Sequence, residues 1–190
     1  MTEILLDFIP DEMVMAEDKS SAPSQADAAE LQHTYFIMPI RLKSGAEELL
    51  EIPPAKDQQQ VWSGDSSGNS LHPILKERPF DPWFPLPLLD VATTGLEKIR
   101  EVHQKGTSIY RLPGAGYRLS FQMSGKDVFV HSEVNGRTSR IQYVDLLHAF
   151  EEFASKVREY LSHEVPELKA HPFWKEWLEQ TRCVNVRRET

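Results

Sequence analysis

From Tyr117 to Tyr143 apolar and polar residues alternate, and the alternation then gives way to a helical period that runs to Leu161. Two turn dipeptides set the register of the alternating part. Gly125-Lys126 suits a two-residue type II′ hairpin with glycine first, and Asn135-Gly136 suits type I′, in which both central residues need positive φ. Loops of that length place Met123 opposite Val128 and Phe121 opposite Val130. In the second hairpin they place Val130 opposite Ile141 and Val128 opposite Tyr143. Phe121, Met123, Val128, Val130, Ile141 and Tyr143 then share one face. Arg118, Ser120, Gln122, His131, Glu133, Thr138 and Arg140 share the other, with Phe129 its one large apolar member.

A sheet that is apolar on one side needs a cover. The next segment opens at Asp145, a suitable N-cap. It lines up Leu146, Leu147, Phe150, Phe153, Ala154, Val157, Tyr160 and Leu161 on one stripe, with Asp145, His148, Glu152, Lys156 and Glu159 opposite. The pattern therefore predicts an α+β fold, an antiparallel meander sheet covered on one face by a long C-terminal amphipathic helix.

The rest of the chain is read from weaker signals. Tyr35 to Leu42 reads as a strand that Pro39 restricts to an edge or a bulge. Ser44-Gly45 follows as a turn and Glu48 to Ile52 as a short return strand. Pro53 to Asn69 is polar and reads as a mobile loop. Between His72 and Asp90, prolines at 73, 79, 82, 85 and 87 are interleaved with Phe80, Trp83, Phe84, Leu86 and Leu88, which predicts an extended segment pinned by its aromatics. Thr94-Gly-Leu-Glu97 has capping-box spacing and predicts a short helix with Leu96, Ile99 and Val102 inward, ending at Gly106. One more strand is expected from Thr107 to Leu112, turning through Pro113-Gly114-Ala115-Gly116. Pro166 should stop the long helix, and Pro172 should start a last one bearing Phe173, Trp174, Trp177 and Leu178.

Charge changes this picture at the N-terminus. The first 34 residues hold eight acids against the single Lys19, so nearly all of the net charge of −8 belongs to them. Residues 1–33 are therefore expected to form a mobile acidic arm, 34–180 a single domain, and 181–190 a basic tail. Such an arm repels nucleic acid and attracts a basic protein surface. Its interleaved acids and aliphatics nominate Asp7, Phe8, Asp11, Glu12, Glu17 and Asp18 as partner-binding residues, with a plain solvated tail or folding back as an edge strand as the alternatives. No stretch is long enough to span a membrane. Glu3 before Ile4-Leu5-Leu6 and Asp7 and Pro10 after it argue against a secretory signal, and one cysteine, Cys183, fits a reducing compartment, so a cytoplasmic protein is expected.

Candidate chemistry is sparse. Asp145, His148 and Glu152 share a helical face, which is the usual solvated arrangement more often than an acid/base pair or metal site. His131, Arg140, Arg118 and Glu133 make a polar patch on the sheet, where an enzyme site would compete with an ordinary exposed face. Cys183 lies among Arg182, Arg187 and Arg188 without a histidine partner, and the glycine-rich turn at 113–116 leads into a strand, unlike a phosphate cradle. Pro82-Trp83-Phe84-Pro85 matches PxxP but reads as packing. Trp83, Trp174 and Trp177 could line a groove for a small molecule or peptide. No catalytic residue, cofactor or metal is nominated, and the chain is read as a non-catalytic binder.

A resemblance adds to this. Tyr117-Arg-Leu-Ser-Phe121, Asp127-Val-Phe-Val130 and Ile141-Gln-Tyr143, followed by Leu146-Leu-His-Ala-Phe-Glu-Glu-Phe153 and Val157-Arg-Glu-Tyr-Leu161, resemble the C-terminal meander and helix of bacterial immunity proteins from polymorphic toxin systems. The similarity covers about a third to two-fifths of the chain and leaves out the acidic arm and the proline-rich middle. It implies a cytoplasmic, usually acidic protein that neutralises a cognate toxin by binding over or near its active site; taken with the charge of the acidic arm, the expected partner is a basic toxin, bound stoichiometrically.

Overall fold

A computed structural model describes residues 3–9, 23–33, 35–51 and 84–182, so the expected loop from Pro53 to Asn69 lies outside the described residues. Two four-stranded antiparallel sheets are present. The first is built on β2 (Ile37–Ser44), which has β1 (Ile4–Phe8) on one side and β3 (Glu47–Glu48) and β4 (Phe84–Pro87) on the other. The second is a meander in chain order, β5 (Thr107–Arg111), β6 (Arg118–Ser124), β7 (Asp127–Ser132) and β8 (Thr138–Gln142). The helices are α1 (Ala28–His33), α2 (Leu88–Asp90), α3 (Leu96–Lys105), α4 (Tyr143–Glu164) and α5 (Pro172–Gln180). A π-helical turn at Val91–Gly95 joins α2 to α3.

The prolines of β2 and β4 are placed where a missing N–H costs little. Pro39 sits in the central strand β2, not on an edge as the sequence suggested. Its carbonyl accepts from the Ile9 amide at 3.2 Å, so its absent donor points to the side where β1 is already ending. In β4, Phe84 and Leu86 lie opposite Ile40 and Met38, while Pro85 and Pro87 alternate with them and turn their donor-less nitrogens away from β2.

The first meander turn forms as expected, with Ser124 opposite Asp127, Phe121 opposite Val130 and Met123 opposite Val128. The second does not. Val128 faces Ile141 and Val130 faces Ser139, two residues away from the two-residue-loop register. Ser132 and Arg137 close a four-residue loop in which Gly136 alone takes positive φ, at 71°. Asn135 is engaged elsewhere: its amide nitrogen donates to the carbonyls of Glu48 and Glu51, at 2.8 and 3.2 Å, and its oxygen accepts from the Arg137 amide. A buried hydrogen bond from Ser139 Oγ to Ser44 Oγ at 2.7 Å joins the two sheets beside it. Because the slip is two residues, each side chain keeps its face.

The long C-terminal helix packs on the sheets as the stripe requires, and α3 shares the cover: α3 lies against β5 and β6, and α4 against β1, β8 and α3. The α4 helix starts at Tyr143 rather than Asp145. The Tyr143 amide donates to the Lys126 carbonyl at 3.0 Å, and its ring leaves the sheet to stack on His103 at 4.6 Å. Thr94 is likewise no helix start, since the helical run begins at Leu88 behind Pro87. It ends where expected, with Gly106 left-handed at φ 79°. The core side chains form one cluster across both sheets and the helices.

The described parts of the expected mobile arm belong to this fold. Leu6 and Phe8 are buried, and the Phe8 ring meets Phe153 edge-on at 5.7 Å and Tyr160 at 5.5 Å. Asp27 and Glu30 form a reciprocal capping box on α1: the Glu30 amide donates to Asp27 Oδ1 at 2.8 Å and the Asp27 amide to Glu30 Oε2 at 3.2 Å. His171 ties the same region to α5. Its Nδ1 accepts from the Phe173 amide, which leaves Nε2 to donate to the Ala26 carbonyl at 3.0 Å. Phe8→Ala is therefore expected to lower unfolding free energy by about 3–5 kcal/mol in chemical denaturation, the range for emptying a buried aromatic site. Unchanged stability would mean that β1 is a displayed arm after all.

Candidate functional site

The helices cover one face of the meander, and among the described residues nothing covers the other. Along it, Ile109 and Phe129 are exposed at 47% and 37%, and they sit among Arg111, Arg118, His131 and Arg140. The strand register explains the composition. Odd-numbered β5 residues and even-numbered β6 residues point outward, then odd in β7 and even in β8, so the polar alternation read in the sequence becomes a single surface.

Most of the charges on that surface are internally satisfied. Arg118 pairs with Glu133, Arg140 pairs with Asp127, and His131 Nδ1 lies 2.9 Å from Thr138 Oγ1. The corrected register thus separates His131 from Arg140, whose cross-strand neighbour is Phe129. At one end of the surface a cleft of about 470 Å3 is lined by Arg111, Leu112, Gly116, Tyr117, Arg118 and Glu133. Tyr117 is half-buried with its ring edge-on to Phe84 at 6.3 Å, and burial raises its phenol pKa, so the hydroxyl stays a donor through neutral pH.

A second polar constellation, missed in the sequence, lies inside. Asp90 is buried: its Oδ2 accepts from Tyr110 Oη at 2.7 Å, its Oδ1 accepts from Thr94 Oγ1 at 2.8 Å, and His33 Nδ1 lies 3.1 Å from that same Oδ1. Gln32 reaches the hydroxyls of Thr93 and Thr94 from the same helix. The carboxylate therefore bolts α1 and β5 to the π-helical turn. Its contacts account for its burial without a substrate, and the cleft lining includes neither His33 nor Asp90. Asp90 had only an apolar run around it as a sequence signal, and that run concealed it.

Other nominated residues are dispersed. Asp7 is half-buried in β1 with Lys156 Nζ 3.4 Å from its Oδ1, and Phe8 is core, so Phe8 is not available to a partner. Asp11, Glu12, Glu17, Asp18, Trp83 and Cys183 lie outside the described residues. Trp174 and Trp177 are 5% and 0% exposed and stack on each other at 5.0 Å, which makes them core rather than groove lining. His148 and Glu152 sit 3.3 Å apart on the solvent side of α4, and no metal-type cluster occurs among the described residues. No helix among the described residues is long and apolar enough to cross a membrane. No family model, curated protein or solved structure matches the chain.

Burial, and then the neighbouring Asp90 carboxylate, push the Tyr110 phenol well above its ordinary value of 10.0. Above that pH the unfolded chain releases a proton that the folded chain keeps, so this group's contribution makes stability fall as pH rises. Tyr110→Phe should cost about 1.5–3 kcal/mol at pH 7, the range for a hydrogen bond to a charged group, and should flatten the decline above pH ~10 in denaturation profiles. An unchanged alkaline slope would contradict the buried Tyr110–Asp90 pairing.

Proposed function

We propose that this chain is a non-catalytic protein-binding domain of the immunity type, which neutralises a basic toxin by stoichiometric binding and seats it on the open face of the meander. The observation that carries this reading is the pair of exposed apolar side chains, Ile109 and Phe129, set among arginines on a sheet face that the helices leave uncovered. Aromatic and arginine side chains are the residues that dominate interface energetics, and a pre-formed sheet presents them with little ordering cost. The ion pairs at Arg118–Glu133 and Arg140–Asp127 hold the surrounding charges in place.

The acids at 11, 12, 17 and 18 add long-range attraction to a basic target, an effect that depends on their charge more than on their placement. Deleting the N-terminal segment is not a clean test of this, because Ile4–Phe8 is a strand of the first sheet. Substituting Asp11→Asn, Glu12→Gln, Glu17→Gln and Asp18→Asn together is. The partner is first isolated by its co-purification at low salt, and its association is then followed by stopped flow. The fourfold variant should associate several-fold more slowly at low salt and converge with the wild type as salt rises. Phe129→Asp, with an unaltered circular dichroism spectrum, should weaken the complex at least about tenfold, as expected for a central aromatic contact. A Phe129→Asp variant that binds as tightly as the wild type would remove the open face as the seat.

A further inference from the structure

The cleft at the end of the open face contains an electrostatic imbalance. In the β5–β6 register, Arg111 lies directly opposite Arg118, and like charges in that position repel. Among the described residues Glu133 is the one acid that lines the cleft, and it is already engaged by Arg118. Arg111 is exposed and makes no ion pair among the described residues. Two arginines and one carboxylate therefore line the same cleft, beside a half-buried tyrosine and the turn glycine Gly116, and only Arg118 is paired with the carboxylate. No ion pair among the described residues occupies the second arginine, so its donors are left to a ligand of the cleft.

The geometry points to Arg111 and its cleft as a binding site for one further carboxylate, an aspartate or glutamate side chain of the partner protein. The inference rests on the protein-binding reading of the open face and adds the chemistry of one contact. Three observations favour this occupant over a phosphate. Glu133 remains in the cleft and repels a dianion more than a monoanion. A planar carboxylate matches the two-pronged guanidinium, and Arg118 already holds Glu133 within the same cleft. The net charge of −8 opposes polyanions at long range. The cleft, at about 470 Å3, has room for an acidic side chain with its stem against Leu112 and Tyr117.

Nuclear magnetic resonance on the full chain tests this without the partner. N-acetyl-glutamate amide is titrated while the arginine Nε–Hε and the Gly116 and Tyr117 amide resonances are followed, with N-acetyl-glutamine amide as the neutral control and inorganic phosphate as the competing anion. Saturable shifts at Arg111, Gly116 and Tyr117 with the glutamate probe, absent with the glutamine probe and lost in Arg111→Gln, are the expected result. Shifts of equal size at Arg137 and Arg140, or no saturation, overturn the site, and tighter binding of phosphate overturns the choice of a carboxylate. Removing a repelling charge, Arg111→Gln should melt at the same temperature as the wild type or higher; a lower melting temperature would give Arg111 a structural role instead. With the isolated partner, Arg111→Gln should weaken binding by about tenfold or more, the factor expected for a charge-assisted pair. If Phe129→Asp disrupts the complex and Arg111→Gln does not, the cleft contact fails and the open-face reading stands. If neither variant weakens the complex, both fail.

Discussion

Two antiparallel sheets have to bury apolar side chains against one shared helix, α4, and this shared burial is the constraint on which the structure depends. An apolar sheet face left in water is unfavourable, so α4 serves both sheets at once, through β1 and β8, while α3 covers β5 and β6 of the meander. The consequence reaches the ends of the described chain. Strand β1, built from some of its first residues, packs on α4, a helix built from residues beyond 140, and Phe8 sits at that joint between Phe153 and Tyr160. The described residues of what looked like a detachable arm belong to the packed core.

The helical layer is held close by two further features. Gly95, in the π-helical turn, has no Cβ; one placed there would lie 2.8 Å from the Phe150 ring, so the Leu88-to-Lys105 run approaches α4 more closely than a side chain would allow. Asp90, one turn earlier, locks the same segment to β5 through Tyr110 and to α1 through His33. Both features stiffen the support behind the meander. The opposite face can then stay open and keep its shape, which is what a surface used for recognition requires.

Much of this fold was legible in the sequence where local rules operate without competition. The alternation in β6 to β8, the glycine-first turn at Gly125, the apolar stripe of α4 and the end of α3 at Gly106 all follow from periods and backbone sterics. Legibility failed where a residue was recruited by a distant partner. Asn135-Gly136 has the composition of a tight turn, but the Asn135 amide is spent on the Glu48 and Glu51 carbonyls and the loop lengthens. Pro39 reads as an edge residue, yet it is central because β1 stops beside it. In the N-terminal segment the charge obscured the period: Leu6 and Phe8 face in and Asp7 outward as in any half-buried strand, while Asp27 and Glu30 are a helix cap rather than part of an acidic display. The polar face of the meander was legible as a set of residues, but its cleft was not, because the Arg111–Arg118 juxtaposition exists only once β5 and β6 are in register.

The open face is thus the surface that the packing leaves over, and its apolar and arginine content is what distinguishes it from an ordinary solvated sheet. Hydroxyl-radical footprinting, comparing the free protein with its complex, reads that surface side chain by side chain. The account predicts that Phe129 and Ile109 become protected from oxidation on binding while Val144, exposed at 52% at the start of α4, reacts as before. Protection of Val144 with Phe129 and Ile109 unchanged would place the partner elsewhere and contradict it.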